Sequence, residues 1–329
     1  MSFLVGTNAG VFLGESGQPS VGIEGRGVRQ LIKGDGHLFA AGADGVYAST
    51  DDGRSWARLG VDGGEVWSVL AASDDGGTLL ASTQPAHLFR SDDGGATWHE
   101  VTSLLEVPGS ERWCVPDNPI GARAITIAAD PFDPRRYWVG VEVGGVLATS
   151  DAGAHWSVTE PCGNADVHML VPHPERPGVL FATMGAGRLD STGDPLVPGP
   201  YRSDDGGQTW RYLGTDLQPR YARVLCVDPR PPHVLTVPAM PNFRSSAREP
   251  GGAQAMLFRS DDDGETWRSL GDAAHAPSNV RLTAVAPDPR EAGAVLVGTE
   301  SGEVWHVSAE ARWDRLSDGL PPVQAILTS

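Results

Sequence analysis

Cysteine is scarce in this chain, with three in 329 residues, Cys114, Cys162 and Cys226. So thin and odd a set cannot frame a disulfide-stapled scaffold, and reduced thiols in a cytoplasmic setting are the expectation. Long apolar runs are missing too. No stretch approaches the roughly 18 residues that a membrane-spanning helix needs, so no membrane contact is expected. The first residues show neither a basic leader nor a small-residue cleavage site. Basic residues are few, 25 Lys and Arg against 42 Asp and Glu, giving a formal net charge of -17. Binding a phosphate backbone needs a basic footprint, so no nucleic-acid partner is expected. There is no C-x-x-C, H-E-x-x-H or calcium-loop spacing, no Gly-rich phosphate loop after a strand and no G-x-S-x-G elbow. No cofactor and no metal are therefore expected. The nearest approach to a metal set is Cys114 and Cys162 with His168, a partial set that no metal-ligand spacing supports.

What the chain does have is turns and a repeat. Glycine (42) and proline (26) are abundant, and one frame, S-x-D-x-G-x-[ST]-W, recurs. It reads Ser49, Asp51, Gly53, Ser55, Trp56, then Ser91, Asp93, Gly95, Thr97, Trp98. It returns as Thr149, Asp151, Gly153, His155, Trp156, as Ser203, Asp205, Gly207, Thr209, Trp210, and as Ser260, Asp262, Gly264, Thr266, Trp267. A turn between two strands explains the residue types. The Asp carboxylate accepts backbone N–H groups across it, Gly supplies a positive φ, and the Trp buries against a neighbouring sheet. Ten aspartates, Asp51, Asp52, Asp92, Asp93, Asp151, Asp204, Asp205, Asp261, Asp262 and Asp263, lie in these five turns, so much of the acidity belongs to one face.

These turns resemble the Asp-box, or BNR, repeat of sialidases and related propellers of the WD40-YVTN-BNR-like superfamily. The resemblance implies an all-β fold, a seven-bladed β-propeller of four-stranded antiparallel blades, closed by a C-terminal strand that completes the N-terminal blade. The repeat divides the chain 1–329 into blade 1 (1–27 plus 322–329), blade 2 (28–62), blade 3 (63–104), blade 4 (121–160), blade 5 (165–215), blade 6 (220–272) and blade 7 (279–319). Blade 7 ends in a worn box that keeps Trp313, with Ser308 and Glu310 in place of the Asp and Gly. In this family the box is structural and lies far from the active site. The F-R-I-P segment of true sialidases is missing and they have six blades, so no sialidase residue transfers motif to motif.

By the same resemblance, ligands bind on the face opposite the boxes, where inner strands start and second strands end. The sequence places Arg29, Trp67, Arg123, His168, Tyr221 with Arg223, and Arg281 at inner-strand starts, and Asn8, Asp44, Gln84, Glu142, Met184 and Glu300 at second-strand ends. Arginine offers a planar fork suited to carboxylate or phosphate. The set accordingly reads as ligand-binding Arg29, Arg123, Arg223, Arg281, Asp44, Trp67 and Trp113, with Glu142, Glu300, His168 and Tyr221 as acid–base candidates. An alternative is that the charges are struts, Arg123 pairing with Glu142. Insertions at 103–121, 185–200 and 241–254 overhang this face, and loops on a rigid scaffold are where binding residues tend to sit. Two functions follow: binding, with acid–base action of a glycosidase-like hydrolase or lyase type, on a small anionic ligand or carbohydrate; or a non-catalytic platform holding a protein partner through the insertions of blades 3–6.

Overall fold

The computed structural model describes residues 3–14, 16–34, 36–72, 77–114, 120–185, 196–272 and 274–328. Short β-rich runs separated by Gly, Pro and Asp turns form seven antiparallel sheets arranged as the blades of a closed propeller. Blade 2 is typical: Val28–Gly34, His37–Gly42, Gly45–Ser49 and Ala57–Gly60 pair in chain order from the channel outward.

Closure is as the termini suggest. Val323–Thr328 pairs antiparallel with Phe3–Thr7, which pairs in turn with Gly10–Leu13. The fourth position of this blade is held by residues 18–21, through Leu13 N to Gln18 O (2.8 Å) and Ser20 N to Val11 O (2.8 Å). Pro19 brings no N–H there, which limits the pairing to a bridge with Phe12. Joining first and last strands in one sheet shuts the ring through backbone hydrogen bonds, and the blades are left with only short outer edges.

The five boxes are built alike. In blade 2 the Ser49 hydroxyl donates to Asp51 Oδ1 (2.8 Å) and accepts from Gly53 N (2.9 Å). Asp51 also accepts from Ser55 N (2.9 Å) and Ser55 Oγ (2.6 Å). Two successive residues, Asp52 and Gly53, take positive φ, 58° and 81°, and a Cβ on the second would also stand 2.4 Å from Leu4 Cδ1, which favours glycine there. The hydroxyl and backbone donors hold the Asp51 and Asp93 carboxyls down to about 2, led by Ser55 and Thr97 respectively. Each box tryptophan from blade 3 onward donates its indole N–H into the preceding blade or its outer link, as Trp98 does to Leu59 O (3.1 Å) and Trp267 to Leu213 O (2.9 Å). Trp313 of the worn box keeps this bond, to Leu270 O at 2.7 Å. The box therefore ties each turn to its neighbour.

On the box face, Asp130, Asp228 and Asp288 each accept the backbone N–H two residues on. In blade 5 the same role falls to His173, whose Nδ1 accepts from Glu175 N (3.0 Å) and Arg176 N (3.1 Å).

Candidate functional site

Six inner strands carry a β-bulge near their start. Pairing skips a residue between Val28 and Gln30, Val66 and Ser68, Ala124 and Thr126, Val167 and Met169, and Leu282 and Ala284. In blade 1 it skips Gln324. In blade 6 the inner strand breaks altogether, Ala222 pairing with Ala239 and Cys226 with Thr236. Arg223 to Leu225 there face Val237 and Pro238, a proline with no N–H to offer. A regular strand sends successive side chains to opposite faces, whereas a bulge turns neighbouring ones the same way. The skipped residues Arg29, Trp67, Ile125, His168, Thr283 and Gln324, joined by Arg223, consequently line one cavity of about 370 Å³ in the channel. The residue before each is small or aliphatic and fully buried, as Val28, Val66, Ala124, Val167 and Ala222 are.

This alignment puts the four arginines in two layers. Arg29 and Arg223 belong to the bulge layer. Arg123 and Arg281 precede it by two residues relative to the skipped position and share a rim with Glu65, Asp166 and Tyr221. The rim is dense with ion pairs. Arg123 NH1 donates to Glu142 Oε2 at 2.6 Å and its Nε to Gln84 Oε1 at 3.0 Å. Arg29 NH2 donates to Glu65 Oε2 at 2.7 Å, and burial pulls the Arg29 guanidinium below its ordinary value, against the attraction of Glu65. Arg281 gives its guanidinium to Ser245 O and to Phe243 O (2.8 Å). Glu300 Oε1 accepts from Arg281 N (2.9 Å) and Ala247 N (2.7 Å). Arg281 and Glu300 thus clamp the 241–254 insertion as well as bordering the cavity.

Three donors on residues of this cavity's wall have no partner among the described residues. Arg29 Nε and Trp67 Nε1 are buried and unbonded, and the Arg223 side chain makes no hydrogen bond or ion pair, although its carbonyl accepts from Thr183 Oγ1 (3.0 Å). Trp67 is not an open stacking platform, because the Arg29 and Arg123 guanidinium carbons lie 3.8 and 4.9 Å from its ring centroid. Trp113 packs against the core shared by blades 3 and 4, anchoring the 103–121 link. Asp44 sits outside the cavity wall, paired with Arg26 (2.8 Å) and accepting from Tyr47 OH (2.8 Å). In register, the residue opposite the rim in blade 5 is Gly185, one past Met184.

Beside the arginines, Glu142, Asp166 and His168 bring one ligand atom each to within 4.8 Å of one another. His168 is nearly enclosed, its Nδ1 3.3 Å from Ala222 O and its Nε2 3.4 Å from Asp166 Oδ1. Tyr221 lies edge-on to it at 5.6 Å, and burial pushes the phenol up to about 12, so it stays protonated and acts as a donor. Sequence reading missed Glu65 and Asp166, although both precede the buried Val66 and Val167 as Arg123 precedes Ala124. Cys162 bonds elsewhere, its thiol against Trp210 O (3.3 Å). Of the 185–200 insertion, residues 186–195 lie outside the described residues, as do 115–119 of the earlier link.

Comparison with known proteins agrees with this architecture. Residues 15–130 match a family described as the DUF6242 beta propeller domain, and residues 201–212 match the BNR/Asp-box repeat. A xyloglucanase from Paenibacillus sp is 26% identical over 268 residues, 78% of this chain and 22% of that protein. One from Hypocrea jecorina (strain QM6a) is 25% identical over 293 residues, covering 87% and 29%. The chain thus spans about a quarter of the curated relatives it matches. Among solved structures, the Niastella koreensis GH74 enzyme superposes with a TM-score of 0.63 at 16% identity, covering 95% of this chain and 46% of that one. YCF48 bound to D1 peptide superposes with a TM-score of 0.57 at 17% identity, covering 88% and 81%.

Proposed function

We propose that the channel cavity opposite the Asp boxes binds a small carboxylate-bearing ligand, an acidic sugar or comparable anion. The observation that carries this reading is the Arg223 guanidinium, left without a partner in a wall that also holds the unbonded Arg29 Nε and Trp67 Nε1. Donors without acceptors call for a ligand rich in acceptors, and a guanidinium meets both oxygens of a carboxylate at once. Arg29 Nε and Trp67 Nε1 are buried as well as unpaired, which costs on the order of 1–3 kcal/mol each, a cost that an acceptor brought to them would remove. A cavity of about 370 Å³ is of the size that takes a small molecule. The similarity to xyloglucanases favours a sugar as the body of the ligand. Where the ligand is also turned over, the groups with protons to exchange are Glu142, Asp166 and His168, with Tyr221 as a hydrogen-bond donor.

A second reading, a platform for a protein partner, is favoured by Ile120 and Phe243, 56% and 57% exposed on the two loops that border the mouth, and by the likeness to a propeller solved with a peptide.

Thermal shift and titration calorimetry against uronates, sialic acids, aromatic acids, phosphate and neutral sugars test the first reading. A ligand at one hundred times its dissociation constant adds about 2.7 kcal/mol of stability. Binding of a carboxylate that vanishes in Arg223→Ala, with the baseline melting temperature kept, supports the proposal. Absence of any small-anion binding, together with capture of a partner that is lost in Phe243→Ser, favours the platform.

A further inference from the structure

We propose that Glu142, Asp166 and His168 form a divalent-cation site at the rim of the channel, taking Zn²⁺ or Mn²⁺. The argument begins with the tautomer of His168. Its Nδ1 lies 3.3 Å from the Ala222 carbonyl oxygen, which can only accept, so Nδ1 carries the proton. In the neutral ring Nε2 then holds a lone pair, aimed at Asp166 Oδ1 only 3.4 Å away. A cation placed between two such acceptors is bound by both. The His168 side chain is 2% exposed and that of Asp166 12%, so an ion there is held largely away from bulk water.

A proton would serve two groups, but a third acceptor converges on the same point. Glu142, whose Oε2 accepts from Arg123 (2.6 Å), brings a carboxylate oxygen to the group, and the three ligand atoms all fall within 4.8 Å of one another. An ion about 2.1 Å from each ligand spaces them roughly 3.0–3.5 Å apart, so the His168–Asp166 separation already fits and Glu142 needs only a small adjustment. The groups behind the ligands fit as well: an imidazole whose other nitrogen donates to a backbone carbonyl, and a carboxylate held by an arginine. Backbone space has been made for the group. A Cβ on Gly185 would stand 2.1 Å from Asp166 Oδ2 and 2.8 Å from His168 Cε1, so only glycine lets both side chains lie where they do. One nitrogen and two carboxylate oxygens suit Zn²⁺ or Mn²⁺ better than a thiolate-seeking ion, and three protein ligands leave coordination positions open toward the cavity that His168 lines.

The site stands apart from the anion-binding proposal, because it can be tested with the metal alone. Chelator-treated protein is titrated with Zn²⁺ by calorimetry and with Mn²⁺ by electron paramagnetic resonance, the second ion guarding against capture by Cys114 or Cys162. One equivalent is expected, with a lowered free Mn²⁺ signal and an affinity reduced at least about tenfold in each of Asp166→Asn, His168→Gln and Glu142→Gln. Gly185→Ala, which retains all three ligands but forces two apart, is expected to lose the site too. Melting curves identify any variant that fails to fold, and the unaltered protein decides the matter in that case. Failure of the parent protein to bind one equivalent of either ion overturns the proposal, as does binding that folded Asp166→Asn and His168→Gln leave unchanged.

Discussion

The Arg29 guanidinium lies 3.8 Å from the centroid of the Trp67 ring, and each side chain has one buried nitrogen that bonds to nothing. Cation–π attraction holds the pair together, and in the proposed ligand site the indole N–H would be one of the donors. Removing only the indole N–H separates the two roles. Trp67→Phe is expected to stay within about 1 kcal/mol of the parent in urea denaturation, since relief of the unpaired donor offsets the lost ring area, and to weaken ligand binding. Trp67→Ala, which removes the packing too, loses about 3 kcal/mol.

Arg123 and Glu142 bind across the first two strands of blade 4, with Gln84 of blade 3 as the second acceptor. The arginine is 22% exposed and the glutamate 10%, so water screens the pair and the cost of breaking it falls below that of a fully enclosed bridge. Glu142→Gln is expected to lose about 1–2 kcal/mol. A double-mutant cycle with Arg123→Gln should recover part of that loss. An additive cycle would mean that the two groups contribute independently.

Glu300 and Arg281 pin the 241–254 insertion to blade 7. In Glu300→Ala the Ala247 amide loses its acceptor, so its hydrogen exchange should accelerate and trypsin should cut sooner at Arg244 and Arg248. The global melting temperature should hardly move, because the pairing of the inner strand from Leu282 onward does not involve the Glu300 side chain. Protection that stays unchanged at Ala247 would show that other contacts hold the loop.

Acid should destabilise the protein in two stages. Burial, assisted by the charges of Arg176 and His233, lowers His173 to about 4 from its ordinary 6.5. Its folded state prefers the neutral ring, so this stability is fully present above pH 6.5 and is lost as the pH falls toward 4. Asp51 and Asp93, at about 2 rather than 3.8, contribute stability that is present above pH 3.8 and lost as the pH falls toward 2. Urea midpoints at pH 7, 5 and 3 report both stages. His173→Asp installs the residue found at this turn in blades 4, 6 and 7 and should flatten the upper stage by one proton.

Much of the architecture was legible because a propeller repeats its local chemistry. The serine, aspartate, glycine and tryptophan of each box close one turn by short-range hydrogen bonds, and five copies fix the strand order around them. Even the closure could be read, from Phe3–Thr7 lacking an inner partner and Val323–Thr328 lacking a blade. The rim was read less well. Asp44 and Met184 were each placed one residue away from the position that faces the rim, which Ala43 and Gly185 hold. Strand ends have no capping chemistry to mark them, so a shift of one residue goes unseen.

The amino-acid sequence by itself determined the blades, their count and the acidic box face, since these follow from contacts within a few residues along the chain. Only the tertiary structure decided which arginines are engaged and which is open. Bulges near the strand starts turn Arg29, Trp67, His168 and Thr283 into the channel, and a bulge is set by pairing with the next strand rather than by any residue pattern of its own. The meeting of Glu142 with Asp166 and His168 likewise depends on two neighbouring blades packing side by side.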